Sequence, residues 1–106
     1  MSKIDHKQRA RAAWPNLAQI AVDGGKTPYS EVARSLGLHH RSARWFLGVI
    51  QTECEARGLP PLQAIVVNKQ TGFPGKGYIA SSRKGKQYKA ALALVHAYDW
   101  PKTAPF

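Results

Sequence analysis

Apolar residues recur every three or four positions through the first half of the chain, which is the spacing of amphipathic helices. Residues 4–14 predict a charged helix. Pro15 lacks a backbone N–H, so it is expected to end that helix and to open the first turn of a second, short helix over residues 15–22. The Asp-Gly-Gly run that follows predicts a stop, because glycine adopts the left-handed backbone of helix ends.

Two further helices are predicted between residues 27 and 58. In TPYSEVARSLG, Thr27 can cap the helix, Pro28 suits its first position and Gly37 ends it. After a brief turn, LHHRSARWFLGVIQTECEARG predicts a longer helix that ends at Gly58. Its apolar stripe consists of Ala43, Phe46, Leu47, Ile50 and Cys54. Two helices joined by a tight turn are typical of a helix-turn-helix motif and equally of an ordinary helical hairpin.

The pattern changes after Pro60 and Pro61, which are expected to exclude a helix there. Residues 63–68 are rich in β-branched side chains and predict a strand, with residues 77–80 as its partner. The segment between them, rich in glycine and lysine, becomes the loop of a β-hairpin. Two strands alone are marginally stable, so the hairpin is expected to pack on the helices.

The last helix is predicted over residues 84–98, with Tyr88, Ala91, Leu92, Val95 and Tyr98 facing inward. Residues 99–106 predict an extended tail, in which Trp100 and Phe106 either pin the tail to the domain or dock on a partner. A helix-turn-helix followed by a hairpin and a helix predicts a mainly α winged helix-turn-helix with a small β-hairpin. The chain is expected to form a single domain over residues 1–106, with residues 1–14 as a basic N-terminal helix or arm.

Positive charge is the strongest global feature of the chain. The 106 residues include 16 Lys plus Arg against 6 Asp plus Glu, a formal net charge of +10. Such a domain usually meets a polyanion, most often nucleic acid, although a membrane surface, an acidic protein or plain solubility are alternatives. Residues 69–89 carry basic side chains and no acidic ones; the basic residues are Lys69, Lys76, Arg83, Lys84, Lys86 and Lys89.

The glycines of the predicted loop suggest a wing that approaches phosphates. Gly72, Gly75 and Gly77 have no side chain to hold a backbone away from a ligand, and they permit unusual dihedral angles. Lys69 and Lys76 would then offer ammonium groups to phosphate oxygens. The alternative is a plain surface hairpin with solvated lysines.

Catalytic and metal-binding motifs are absent from the sequence. There is no CxxC, HExxH, GxGxxG or P-loop, so we expect no enzyme activity, no cofactor and no metal. His39 and His40 are adjacent and cannot share one helix face as ligands; capping, hydrogen bonding and phosphate contact are their alternatives. Cys54 lies in an apolar stripe and predicts a buried structural thiol. A single cysteine, with no apolar run of membrane-spanning length, predicts a cytoplasmic protein.

The order of these segments resembles the DNA-binding domain of alkylguanine-DNA alkyltransferases and alkyltransferase-like proteins. The likeness covers residues 27–98: PYSEVARSLG, a helix that contains arginine, then PPLQAIVVNKQTGFPGKGYI. Tyr29, Glu31, Val32 and Ala33 match the first motif, and Gly77 and Tyr78 match the end of the wing. The resemblance implies that Arg44, or alternatively Arg41, enters the base stack when a damaged nucleotide is flipped out.

The same resemblance places Asn68 at the position of the nucleophilic cysteine and Lys69 at that of its histidine. Thiolate alkyl transfer is therefore excluded at this position. The stretch between Tyr29 and Asn68 is also longer than the family pattern.

We therefore expect a non-catalytic protein that binds duplex DNA and senses a flipped or modified base. The expected contact residues are Tyr29, His40, Arg41, Arg44, Gln51, Asn68, Lys69, Lys76, Tyr78, Arg83, Lys84 and Lys86. The alternative is a small regulator or inhibitor of the phage or plasmid type that binds an acidic surface of a host protein or nucleoprotein complex. The DNA hypothesis requires that cations from the Arg41 helix and from the Lys69–Lys76 segment lie on one side of the molecule.

Overall fold

The described chain is mainly helical, as predicted, with one small sheet. The computed structural model describes residues 5–75, 78 and 85–106. Its elements are α1 (His6–Val22), β1 (Thr27–Pro28), α2 (Tyr29–Ser35), a 3-10 helix (His40–Ser42), α3 (Ala43–Ala56), a second 3-10 helix (Leu62–Ile65), β2 (Val66–Val67) and α4 (Gly85–Ala97).

Helix α1 continues through Pro15, so the predicted break at this proline is wrong. Asp5 caps the helix, since its carboxylate accepts a hydrogen bond from the backbone N–H of Gln8 at 2.9 Å. Pro15 lies on the exposed side, while Trp14 and Leu17 on the other side are fully buried. The apolar burial of the inner face therefore offsets the cost of a proline in a helix interior, about 3 kcal/mol relative to alanine.

Helix α2 begins one residue later than predicted, at Tyr29 rather than at Pro28. Thr27 is buried within β1 and does not cap the helix. Pro28 occupies the N-cap position with an extended backbone and no capping side-chain bond. Gly37, at a φ of +69°, lies just beyond the helix and permits the left-handed turn there. Tertiary pairing of Thr27 thus overrides its local preference for a cap.

Helix α3 follows the 3-10 segment and contributes the centre of the core. All members of the predicted stripe are buried: Ala43, Phe46, Leu47, Ile50 and Cys54. The inner surface of α3 packs against α1 and against the 3-10 helix Leu62–Ile65. The stripe prediction is confirmed, and it determines which surface of α3 faces outward.

The small sheet differs from the predicted hairpin. Residues 62–65 form a 3-10 helix after the two prolines, and the strand is only Val66–Val67. Strand β2 pairs in parallel with β1, in the register Thr27 to Val66 and Pro28 to Val67. Of the predicted partner 77–80, only Tyr78 lies within the described residues, and it is not in a strand. The sheet of the described chain is therefore a parallel pair.

Helix α4 packs on the second 3-10 helix and on α1. Tyr88, Ala91 and Val95 are buried as predicted and Leu92 is half-buried, whereas Tyr98 is exposed against the prediction. No helix in the described ranges combines the length and the apolar character that a bilayer span requires.

The C-terminal tail packs on α1. Of the two predicted roles of Trp100 and Phe106, the structure therefore shows the one in which they pin the tail to the domain. The Trp100 ring meets Trp14 edge-on at 5.6 Å, and the Phe106 ring does so at 5.7 Å. The Trp14 indole N–H donates to the carbonyl of Pro101 at 2.9 Å, and the Arg11 guanidinium donates to the carbonyl of Phe106 at 2.7 Å. These contacts attach both ends of the tail to the same helix.

Candidate nucleic-acid interface

The outward surface of α3 carries positive charge at its N-terminal end. Arg41, in the preceding 3-10 segment, and Arg44, in the first turn of α3, are both exposed. Gly48 lies one turn beyond Arg44 and is half-buried, and a Cβ added there would meet no atom of another element within 4 Å. This end of the helix therefore offers guanidinium groups beside an unobstructed backbone.

A half-exposed indole lies beside these arginines. The Arg44 guanidinium carbon is 4.6 Å from the centroid of the Trp45 ring, within the range of a cation–π contact. The His6 ring stacks on the same indole at 5.7 Å with an interplanar angle of 24°. The N-terminal turns of α1 and α3 thus meet at an aromatic and basic cluster.

A second surface lies where the two strands meet. An open pocket of about 400 Å³ has Pro28, Tyr29 and Ser30 on one wall. Its other wall is formed by residues 68–70, Asn68, Lys69 and Gln70. Because β1 pairs with β2, three predicted contact residues from distant parts of the chain, Tyr29, Asn68 and Lys69, line one pocket.

The chain after β2 forms a tight turn rather than an extended loop. The Asn68 N–H donates to the carbonyl of Phe73, and the Gly72 N–H donates to the carbonyl of Asn68, each at 2.8 Å. Gly72 has a φ of +75°, a conformation that suits glycine. The Asn68 side-chain oxygen also accepts from the N–H of Gln70 at 2.8 Å, which fixes its orientation at the rim of the pocket.

Two further bonds hold this turn against the helices. The Tyr29 hydroxyl accepts from the N–H of Gly75 at 2.6 Å. The Lys26 ammonium donates to the carbonyl of Gly72 at 3.2 Å and lies 5.9 Å from the centroid of the Tyr88 ring. The wall that carries Lys69 is therefore fixed relative to α2.

Most of the cations on these surfaces lack carboxylate partners. Within the part of the chain that the structure describes, the ion pairs are Glu31 with Arg34 at 3.4 Å and Glu53 with Arg57 at 3.3 Å. The exposed residues Arg41, Arg44 and Lys69 form none, and neither does Lys86 in α4. These side chains are free to bind an external anion without first breaking an ion pair.

The predicted nucleic-acid contacts of Gln51 and Tyr78 are wrong, because both side chains are buried. Gln51 is 9% exposed, and its side-chain oxygen accepts from the amide of Gln63 at 3.1 Å. Tyr78 is 5% exposed, and its ring lies edge-on to Tyr88 at 6.3 Å. Both side chains belong to the interior of the domain.

The remaining predicted residues are described only in part. Lys76, Arg83 and Lys84 lie outside the described residues, and of His40 only the backbone is described, in the 3-10 segment. Lys86 is exposed in the first turn of α4. His39 accepts a hydrogen bond from the N–H of Arg41 at 3.3 Å through Nδ1, which is the hydrogen-bonding alternative among its predicted roles.

Sequence reasoning overlooked Trp45, His6 and Lys26 as members of these surfaces. Trp45 had a signal, because it falls outside the apolar stripe of α3, and a tryptophan there is expected to be exposed. His6 and Lys26 had no comparable signal. Their roles depend on contacts with residues that are distant in the chain.

Within the described part of the chain, the groups with perturbed pKa values belong to the core. Burial raises the pKa of the Cys54 thiol, and a hydrogen bond with the Leu62 backbone opposes this only in part. Burial also raises the pKa of Tyr88 to about 12, and its hydroxyl donates to the carbonyl of Ala64 at 2.9 Å. No group of three or more potential metal ligands occurs among the described side chains.

Comparison of the chain with protein-family models, with curated proteins and with solved structures finds no match. The resemblance to the alkyltransferase DNA-binding domain therefore stays a prediction.

Proposed function

We propose that this protein binds duplex DNA without catalysing a reaction, through α3 and the turn that follows β2. The observation that carries the proposal is the set of exposed, unpaired cations Arg41, Arg44 and Lys69 in a chain of net charge +10. Phosphate contacts by such side chains release counterions from DNA, and this supplies most of the sequence-independent affinity.

Helix α3 is the element that enters the major groove in this proposal. A groove about 12 Å wide admits one α-helix. The apolar stripe anchors one side of α3 in the core and leaves the side with Arg44 and Gly48 outward. The lack of a side chain at Gly48 lets a DNA strand come close to the helix, while Arg41 and Arg44 reach phosphates or base edges.

We further propose that the pocket between β1 and β2 accommodates an extrahelical or modified base. Its volume of about 400 Å³ is open to solvent, and Asn68 and Gln70 supply amide groups at its rim. Lys69 lies beside them, where the phosphate of a flipped nucleotide would pass. Flipping costs a few kcal/mol, and the cost is lowest for a mismatched or damaged base.

The test is the binding of a short fluorescent duplex over a series of salt concentrations. With about six phosphate contacts, the slope of log K against log salt is expected to be about −5, so that affinity falls roughly a thousandfold between 50 and 200 mM salt. Arg41→Gln and Arg44→Gln are each expected to make that slope less steep by about 1. Arg57→Gln is the matched control, because Arg57 is already paired with Glu53. A flat salt response of the wild-type protein rejects the proposal.

The pocket is tested with duplexes that carry one abasic, mismatched or alkylated position. Asn68→Ala is expected to remove any preference for such a duplex over the intact one. If the wild-type protein binds intact and damaged duplexes equally, duplex binding stands and base sensing is rejected.

The second candidate function is a regulator that binds an acidic surface of another protein. The net charge of +10 suits an acidic partner. Leu94, which is 61% exposed on α4 beside a groove with Leu59 and Pro61, would add an apolar contact to such an interface. Arg44→Gln is expected to weaken duplex binding under the first function and binding to a protein partner under the second. A protein complex that survives nuclease treatment and is lost in Arg44→Gln supports the second function, provided that the wild-type protein does not bind the duplex.

A further inference from the structure

Trp45 is exposed, unlike the other two tryptophans of the chain. Trp14 is 0% and Trp100 is 5% exposed, and the indole N–H of each donates to a backbone carbonyl. Trp45 is 52% exposed, and its indole N–H has no hydrogen-bond partner among the described residues. The core therefore does not account for a large aromatic ring at this position.

The surroundings of Trp45 combine an aromatic surface with positive charge. Arg44 lies over the ring at 4.6 Å, and His6 stacks against it at 5.7 Å. Arg41 is exposed in the segment that leads into the same helix. Exposed aromatic rings beside unpaired guanidinium groups are the combination with which proteins bind single-stranded nucleic acid, since bases stack on the ring and cations meet the backbone.

We infer that Trp45 is a stacking platform for an unpaired base, and that the protein prefers duplex DNA with a single-stranded flank over blunt duplex. This inference rests on the proposed function and adds the substrate class. Bases within a duplex are stacked on their neighbours and present only their edges in the grooves. An unpaired base presents a free π face, which an exposed indole can cover.

Arg44 has two partners in this arrangement. In the free protein its guanidinium lies over the indole. When a base covers the ring, the guanidinium turns to the phosphate of that nucleotide, because a charge-assisted hydrogen bond to phosphate is stronger than an exposed cation–π contact. Stacking and phosphate binding are therefore coupled at this position.

The test compares two duplexes of identical sequence, one blunt and one with a short unpaired flank. The wild-type protein is expected to bind the flanked duplex about tenfold more tightly, as stacking of one base implies. Trp45→Leu is expected to bind the two duplexes equally. Trp45→Phe, which keeps a smaller ring, is expected to retain part of the preference for the flanked duplex. Val22→Ala is the control for an exposed apolar position outside the cluster, since Val22 is 55% exposed.

Tryptophan fluorescence gives a second readout. Stacking is expected to quench the emission of Trp45 when the flanked duplex is added, and this quenching is expected to be absent in Trp45→Leu. If the protein binds neither duplex, the proposed function has failed. If it binds both equally, or if Trp45→Leu weakens both by the same factor, duplex binding stands and the stacking platform is overturned.

Discussion

The Tyr29 hydroxyl accepts a hydrogen bond from the backbone N–H of Gly75 at 2.6 Å, between residues 46 positions apart in the chain. This bond joins the first residue of α2 to the end of the turn that carries Lys69. A Cβ placed on Gly75 would lie 3.2 Å from the same hydroxyl oxygen. The close approach therefore requires both a tyrosine at position 29 and a small residue at position 75.

Tyr29→Phe and Gly75→Ala are each expected to lower the free energy of unfolding. Tyr29→Phe removes the acceptor and leaves the Gly75 N–H unpaired, at a cost of about 1 kcal/mol. Gly75→Ala displaces the hydroxyl and weakens the same bond. The double variant is expected to lose less than the sum of the two single losses, because both changes act on one contact. Urea unfolding measures all three, and strictly additive losses would contradict the shared contact.

Cys54 is expected to be unreactive in the folded protein. Its side chain is 1% exposed, and burial raises its pKa, so both access and the thiolate fraction are low. Ellman's reagent at pH 8 is expected to react slowly without denaturant and rapidly in urea. Rapid reaction of the folded protein would show that the thiol is accessible.

Tyr88 is expected to make stability depend on pH in the alkaline range. Its pKa is about 12 in the folded protein, against an ordinary value of about 10. Below pH 10 the phenol is neutral in both states and its contribution to stability is complete. Between pH 10 and 12 the unfolded chain loses this proton first, so ionisation favours unfolding and stability falls.

The control for this titration is Tyr88→Phe. This variant loses the hydrogen bond to the Ala64 carbonyl and is less stable at neutral pH by about 1 kcal/mol. Its stability is expected to fall less steeply than that of the wild-type protein between pH 10 and 12. Parallel pH profiles of the two proteins, measured by urea unfolding, would contradict a raised pKa at Tyr88.

Pro15→Ala is expected to raise the free energy of unfolding. Pro15 is exposed within α1 and cannot donate the hydrogen bond of the helix ladder, whereas alanine can. The gain is expected to be about 2 kcal/mol, because proline also restricts the unfolded chain and this offsets part of the difference. Asn16→Ala, at the next exposed position, is the matched control and is expected to change stability by less than 1 kcal/mol. A less stable Pro15→Ala protein would indicate that α1 needs a proline bend.

The sequence predicts best what depends on local periodicity. The stripe from Ala43 to Cys54 could be read from its spacing, because one side of α3 is buried throughout. The pairing of Thr27 with Val66 could not be predicted from the sequence. Any short extended segment can pair with another, and the choice depends on how the helices pack. The helix cap predicted at Thr27 failed for this reason.

In the candidate site, too, single residues could be predicted from local pattern, whereas their arrangement in space could not. Tyr29, Asn68 and Lys69 were predicted one by one, and the parallel strands place them around one pocket. Gln51 was misjudged because it borders the apolar stripe. Its side-chain oxygen accepts a hydrogen bond inside the fold from Gln63, which no local pattern reveals.

The parallel pairing has a consequence for attempts to miniaturise this domain. The chain between the paired residues Thr27 and Val66 contains both α2 and α3. A peptide of residues 29–56 would keep Arg44 and Trp45 but would lack Asn68 and Lys69. The helix pair alone therefore does not carry both proposed contact surfaces. A graft onto another scaffold has to include the continuous stretch from Thr27 to Gly75, whose N–H holds the turn against Tyr29.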